Sequence, residues 1–188
     1  MKILAISGSP RVGGNTDSYL KHILNILDEK GIETEFITLA GKQILSCKAC
    51  AGCTKGPECV QKDDFGDIFD KMAAADGFIL GSPVYFSTAS AEMTALLDRA
   101  GYVAKMNGSM FDRKIGGAVA VARRAGTNFT LAQLLMWCAI NGMVVPGSSY
   151  WTVGFGRKVG EAMDDTEGVQ TMTDFADNIA WLCEKLGN

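Results

Sequence analysis

Nothing in this sequence approaches the apolar length needed to cross a bilayer, and no basic stripe runs along it. With a net charge of -3 and a pI near 5.2, the chain lacks the positive field that draws nucleic acid or an anionic membrane surface. The apolar run at residues 3–6 is too short for a secretory core and feeds straight into a glycine loop, so no signal peptide is expected. A cytoplasmic location follows as an expectation, with the six cysteines reduced or metal-bound rather than paired in disulfides. Histidine is almost missing. His22 stands alone, without ligand companions and beside the apolar stripe of its helix, where a surface position is expected. Two nucleotide signals are missing as well. No G-x-G-x-x-G follows the first apolar segment, and no acidic residue closes the second to hold a ribose, which argues against a nicotinamide dinucleotide bound in the ordinary way. No side chain stands out as a general acid or base, so no catalytic residue is assigned.

What is present alternates strand and helix from end to end. The 188 residues, 47% hydrophobic and 21% charged, suit a single domain over 1–188 with a full core. Strands are expected at about 2–7, 34–39, 77–80, 115–122 and, as a short fifth, Met143-Val144-Val145. Helices are expected at about 16–30, 90–102, 127–141 and 169–186, the first with Leu20, Ile23, Leu24 and Leu27 on one face, and another between the first two carries Phe65, Ile68, Phe69 and Met72 on one face. Asp64 is expected to cap the second helix. An irregular cysteine-rich stretch fills about 40–64. Five parallel strands with crossover helices make a doubly wound α/β sheet, whose ligands sit beyond the carboxyl ends of the strands. The loops at 7–16, 82–89 and 122–128 should therefore converge.

The first of these, Ser7-Gly-Ser-Pro-Arg-Val-Gly-Gly-Asn-Thr16, joins a strand to a helix N-terminus, where free N–H groups and the positive dipole end favour an anion. Its glycines admit close backbone approach, and its hydroxyls, Asn15 and Arg11 can donate to phosphate oxygens. The simpler alternative is a plain turn capped by Asn15 or Thr16. The second loop, Gly81-Ser-Pro-Val-Tyr-Phe-Ser87, sets two aromatics beside a proline-stiffened backbone, a place for a flat ring, unless one aromatic is core and the other caps the third helix. The third, Arg123-Arg-Ala-Gly-Thr-Asn128, adds two cations that can hold phosphate or flavin oxygens, or simply pair with surface carboxylates. One phosphate and one flat ring fit flavin mononucleotide (FMN).

Cys47-x2-Cys50-x2-Cys53-x5-Cys59 places four cysteines within 13 residues. Four thiolates at such spacing can converge on a soft metal centre, either a [4Fe–4S] cluster or structural zinc. Cys138 and Cys183 lie on apolar helical stripes and are expected in the core.

GSPRVGGNT, GSPVYF and the intervening cysteines together resemble the NADPH-dependent FMN reductase group of the flavodoxin-like fold, and more closely its iron–sulfur flavoprotein branch. The resemblance implies strand order 2-1-3-4-5. It implies Ser9, Arg11, Asn15 and Thr16 for the FMN phosphate and ribityl chain, and Pro83, Val84, Tyr85 and Phe86 for the isoalloxazine. Arg123 and Gly126 join the cofactor-binding set, although the group is glycine-rich where this chain has Arg123-Arg124-Ala125. The longer final cysteine gap, with Gly56 and Pro57, matches the iron–sulfur branch and implies a [4Fe–4S] cluster on Cys47, Cys50, Cys53 and Cys59, with zinc or an empty thiol set as alternatives. NAD(P)H or ferredoxin is implied as electron donor and a small molecule as acceptor. A homodimer or homotetramer is implied, with the cluster serving a neighbouring subunit's flavin. Trp151 can close over the flavin or over a subunit contact. Two alternatives remain: an NAD(P)H-dependent FMN or quinone reductase without a cluster, and a non-enzymatic redox or metal sensor.

Overall fold

The computed structural model describes residues 1–187. Five strands, β1 (Lys2–Ser7), β2 (Glu33–Thr38), β3 (Gly77–Pro83), β4 (Ile115–Ala122) and β5 (Val153–Phe155), form one parallel sheet in the order β2-β1-β3-β4-β5. The helices are α1 (Asn15–Glu29), α2 (Phe65–Ala74), α3 (Ala91–Met106), α4 (Thr127–Ile140) and α5 (Thr166–Leu186). β1, β3 and β4 are almost wholly buried because both faces of the sheet are covered, which is why their side chains, after Lys2 at the start of β1, are apolar or small. Leu20, Ile23, Leu24 and Leu27 of α1 pack with Met172, Phe175 and Ile179 of α5 on one face. Phe65, Phe69, Leu96, Leu97, Leu131 and Leu134, from α2, α3 and α4, fill the other. Cys138 and Cys183 lie in these cores as expected. Burial pushes the Cys138 thiol up to about 12.

The fifth strand is not where the apolar run Met143–Val145 put it. Val144 makes a single bridge to Ile115, and the chain then leaves the sheet. Pro146 has no N–H to continue a ladder, so the run ends there. The strand forms ten residues later, with Val153, Gly154 and Phe155 opposite Ala120, Val121 and Ala122. Gly154 permits it, because a Cβ there would come within 2.0 Å of the Tyr19 ring. The displacement matters for function, since it brings the segment after Phe155 to the carboxyl end of the sheet.

Three smaller expectations also change. α2 begins after Asp64, yet its first-turn Phe65 N–H goes to Asp63 Oδ1 (3.3 Å), while Asp64 Oδ2 accepts from the Gln43 N–H (2.7 Å). α1 has Gly14 at its cap position and no side-chain cap from Asn15 or Thr16. His22 is half-buried between α1 and α5, its Nε2 2.9 Å from Thr173 Oγ1, and burial lowers its pKa. Among the described residues no helix is long and apolar enough to cross a membrane.

Candidate functional site

The loops after β1, β3 and β4 do converge, on a cavity of about 300 Å³. Ser9, Arg11, Asn15, Thr16, Pro83, Val84, Tyr85 and Arg123 all line it, so eight of the ten residues expected to bind the cofactor share one wall-set. The loop after β5 supplies a fourth wall that sequence reasoning missed: Gly156, Arg157 and Val159. The signal was the glycine-bracketed basic run Gly154-Phe-Gly-Arg157, unreadable while the last strand was placed at 143–145. Three guanidinium side chains and no carboxylate line the cavity among the described residues. Such a site favours an anion.

The first loop is held open by its own side chains. Asp17, 1% exposed, accepts from the Gly13 N–H (2.7 Å) and from the Ser7 hydroxyl (2.5 Å). Ser9 Oγ accepts from the Arg11 N–H (3.1 Å) and donates to the Arg11 carbonyl (3.0 Å). The hydroxyls of Ser7 and Ser9 therefore shape the turn, and the first-turn N–H groups of Asn15, Thr16 and Asp17 find no acceptor among the described residues. Asn15 spends its side chain elsewhere. Its Oδ1 accepts from the N–H groups of Gly160 (2.8 Å) and Ala162 (3.3 Å), and its Nδ2 donates to the Lys158 carbonyl (2.8 Å). It thereby ties the 156–162 loop to the cavity and leaves its own backbone N–H for a ligand.

In the second loop Tyr85 and Thr88 exchange N–H···O bonds (3.0 and 3.1 Å) around Phe86 and Ser87, whose φ angles are +51° and +66°. Both central residues are left-handed, the geometry of a type I′ turn that asparagine and glycine usually occupy. Phe86 is fully exposed and Tyr85 half-exposed. Strained backbone of this kind clusters at active sites and ligand clamps. Phe86 does not line the cavity, nor does Gly126. Gly126 instead wedges the third loop against the second: at φ +87°, a Cβ there would stand 2.8 Å from Ser87 Oγ and 3.0 Å from Val84 Cγ1.

The cysteine stretch forms a second, separate site. All four thiols line one small pocket together with Val60, Arg99, Tyr102 and Val103. Cys47 and Cys50 are exposed, Cys59 is half-buried and Cys53 is buried. Ala49 and Ala51, flanking Cys50, both hold positive φ (52° and 54°), which turns the loop sharply at that thiol. The loop is pinned by the buried pair Arg99–Asp63, Nη1 to Oδ2 at 2.5 Å and Nη2 to Oδ1 at 2.9 Å, and by Asn107, which donates to the Cys53 carbonyl (3.0 Å). Burial raises the Cys53 thiol, with the neighbouring cysteines adding to it. At Cys59 burial pushes up too, but the backbone near Gln61 and the Arg99 guanidinium outweigh it, and the thiol is held below its usual range. Among the described residues no three of His, Cys, Asp or Glu are set to grip a single ion. The donor set itself, four sulfurs with no imidazole around one pocket, suits a soft sulfur-rich centre.

The family model for NADPH-dependent FMN reductase matches residues 1–158. An iron–sulfur flavoprotein of Methanocaldococcus jannaschii is 39% identical over 187 residues, covering 96% of each chain. That of Methanosarcina thermophila is 35% identical over 188 residues, covering 99% of this chain and 95% of the relative. Among solved structures, RosB with a bound 8-demethyl-8-formylriboflavin-5'-phosphate intermediate superposes with a TM-score of 0.82 at 15% identity, covering 100% of this chain and 80% of that one. A WrbA-like flavodoxin of Agrobacterium tumefaciens gives 0.68 at 13% identity over 98% of both. At those identities the two structures share the fold.

Proposed function

This chain belongs to the NADPH-dependent FMN reductase family and is a flavin-dependent oxidoreductase, and from that premise we propose an electron-transfer iron–sulfur flavoprotein with FMN in the arginine-lined cavity and a [4Fe–4S] cluster on Cys47, Cys50, Cys53 and Cys59. The observation that carries the flavin site is the meeting of three arginines, an uncapped helix start and the Pro83–Tyr85 segment at one cavity that no carboxylate lines among the described residues. Arg11, Arg123 and the N–H groups of Asn15, Thr16 and Asp17 would hold the phosphate. Pro83, Val84, Tyr85 and Phe86 would face the ring, and Gly126 would keep their turn in place. Bound there, FMN exchanges two electrons with a donor or acceptor, and the protein supplies position and charge.

The cluster reading is supported by four sulfurs around one pocket, and by relatives at 39% and 35% identity that carry the name iron–sulfur flavoprotein. The thiols would ligate iron as thiolates, Cys59 most readily. The two pockets have no lining residue in common, in keeping with a cluster that serves a neighbouring subunit's flavin. Assembly as a homodimer or homotetramer draws support from α4, which is apolar on its outer face as well. Phe129, Met136 and Ile140 are each about 70% exposed, with Tyr150 and Trp151 also exposed. The donor would be NAD(P)H or ferredoxin, the acceptor a small molecule, and the place of action the cytoplasm.

Anaerobic purification with iron, sulfide and flavin analysis tests the reading. Iron and sulfide with FMN, and a visible absorbance that dithionite bleaches beyond the flavin bands, are expected. Flavin without iron would leave an NAD(P)H-dependent FMN or quinone reductase. Failure of both NAD(P)H and reduced ferredoxin to reduce the flavin would point to a sensor.

A further inference from the structure

The pocket around Cys47–Cys59 contains a polar group that four thiols leave unexplained. Arg99 reaches it from α3 with its side chain 1% exposed. Nη1 donates to Asp63 Oδ2 (2.5 Å) and to the Leu45 carbonyl (3.1 Å); Nη2 donates to Asp63 Oδ1 (2.9 Å) and to the Gln61 carbonyl (3.5 Å). Leu45 precedes Cys47 by two residues and Gln61 follows Cys59 by two, so one guanidinium grips both ends of the cysteine loop. Its face is covered by the Phe65 ring, 4.0 Å from Cζ to the centroid. Nε is the exception. Among the described residues it is the one buried side-chain nitrogen or oxygen without a hydrogen-bond partner.

A buried donor left unmade is costly, and native structures rarely keep one without a use. The guanidinium has the Cys59 thiol beside it. Any centre built on the four thiolates adds sulfur acceptors to the same pocket. Resting on the cluster reading above, we propose that Arg99 is a positioning residue for that centre: its Nη groups fix the loop ends, and its Nε–H is donated to a sulfur of the centre or of Cys59. An N–H···S bond and a fixed positive charge both stabilise the more negative, reduced form, so Arg99 raises the potential of the centre. Lysine would keep the charge, but a single ammonium cannot serve Asp63, Leu45, Gln61 and a sulfur together.

The test compares the anaerobically purified wild-type holoprotein with Arg99→Lys. Iron and FMN are counted per chain, and the potential is measured by dithionite titration, each centre gaining one electron from dithionite. In Arg99→Lys, FMN stays at the wild-type level, and either iron is lost or the potential falls by roughly 59 mV, a tenfold shift in the one-electron equilibrium. Wild-type iron with an unmoved potential overturns the proposal while leaving the cluster reading intact. A wild-type protein without iron overturns both. Pulsed EPR of the reduced wild type carrying isotope-labelled arginine needs no variant. A nitrogen coupling to the centre is expected, and its absence overturns the donated bond.

Discussion

Phe86→Gly should move stability and cofactor affinity in opposite directions. Phe86 sits at φ +51° and is fully exposed, so its ring contributes no packing to the apoprotein while its backbone bears left-handed strain. That conformation costs a residue with a Cβ about 1–2 kcal/mol. Glycine removes the strain but brings about 0.5–1 kcal/mol of extra chain entropy in the unfolded state. The two offset to a gain of up to about 1.5 kcal/mol for the apoprotein, or up to about 6 °C in Tm for a chain of this size. FMN binding should weaken, because an aromatic ring that becomes buried against a ligand contributes about 1.5–3 kcal/mol. That corresponds to a loss of about 10- to 150-fold in affinity. Calorimetric melting of the apoprotein and FMN titration by flavin fluorescence read the two effects separately. A destabilised apoprotein would show that the turn is held by the Phe86 side chain. An unchanged Kd would show that the ring of FMN rests elsewhere, and the flavin-facing role of this loop would be refuted.

Arg11→Ala should weaken FMN binding by about 1.5–3 kcal/mol, the range for a hydrogen bond to a charged group, read by the same titration; full retention would mean that the helix start and the other arginines suffice. Gly126→Ala introduces a Cβ at φ +87° within 3.0 Å of Val84 Cγ1, and the backbone strain alone costs about 1–2 kcal/mol. It should lower both Tm and FMN affinity, unlike Phe86→Gly, which lowers only affinity. Cys138 supplies a pH dependence. Its folded-state pKa of about 12 lies above the unfolded thiol value, so its contribution is intact below about pH 8.5 and declines as pH rises toward 12, by up to about 1.4 kcal/mol per unit. Urea unfolding of wild type and Cys138→Ala between these limits should show the steeper alkaline loss in the wild type, and parallel curves would refute it.

Local signals in the sequence determined much of this protein. Apolar run lengths and helical stripes located nine of the ten strands and α-helices to within a few residues, the last strand being the exception. The Ser7–Thr16 and Gly81–Ser87 loops, and the Cys47–Cys59 spacing, were enough to raise the expectation of an anion, a flat ring and a soft metal centre, because each pattern is carried by neighbouring residues. Tertiary structure decided what depends on partners far along the chain. Which segment completes the sheet beside β4 turned on Pro146 lacking an N–H and on Gly154 leaving room for Tyr19, and only that placement brought Arg157 to the cavity. Asn15 looked like a phosphate ligand, yet its side chain ties down a loop 143 residues away at Lys158. Asp17, unremarkable on its helix, proved to be the buried prop of the anion loop. Arg99 carried no motif at all. Its pairing with Asp63 across 36 residues, and the unpartnered Nε of a side chain that lines the pocket of thiols, exist only once the fold has excluded water from both.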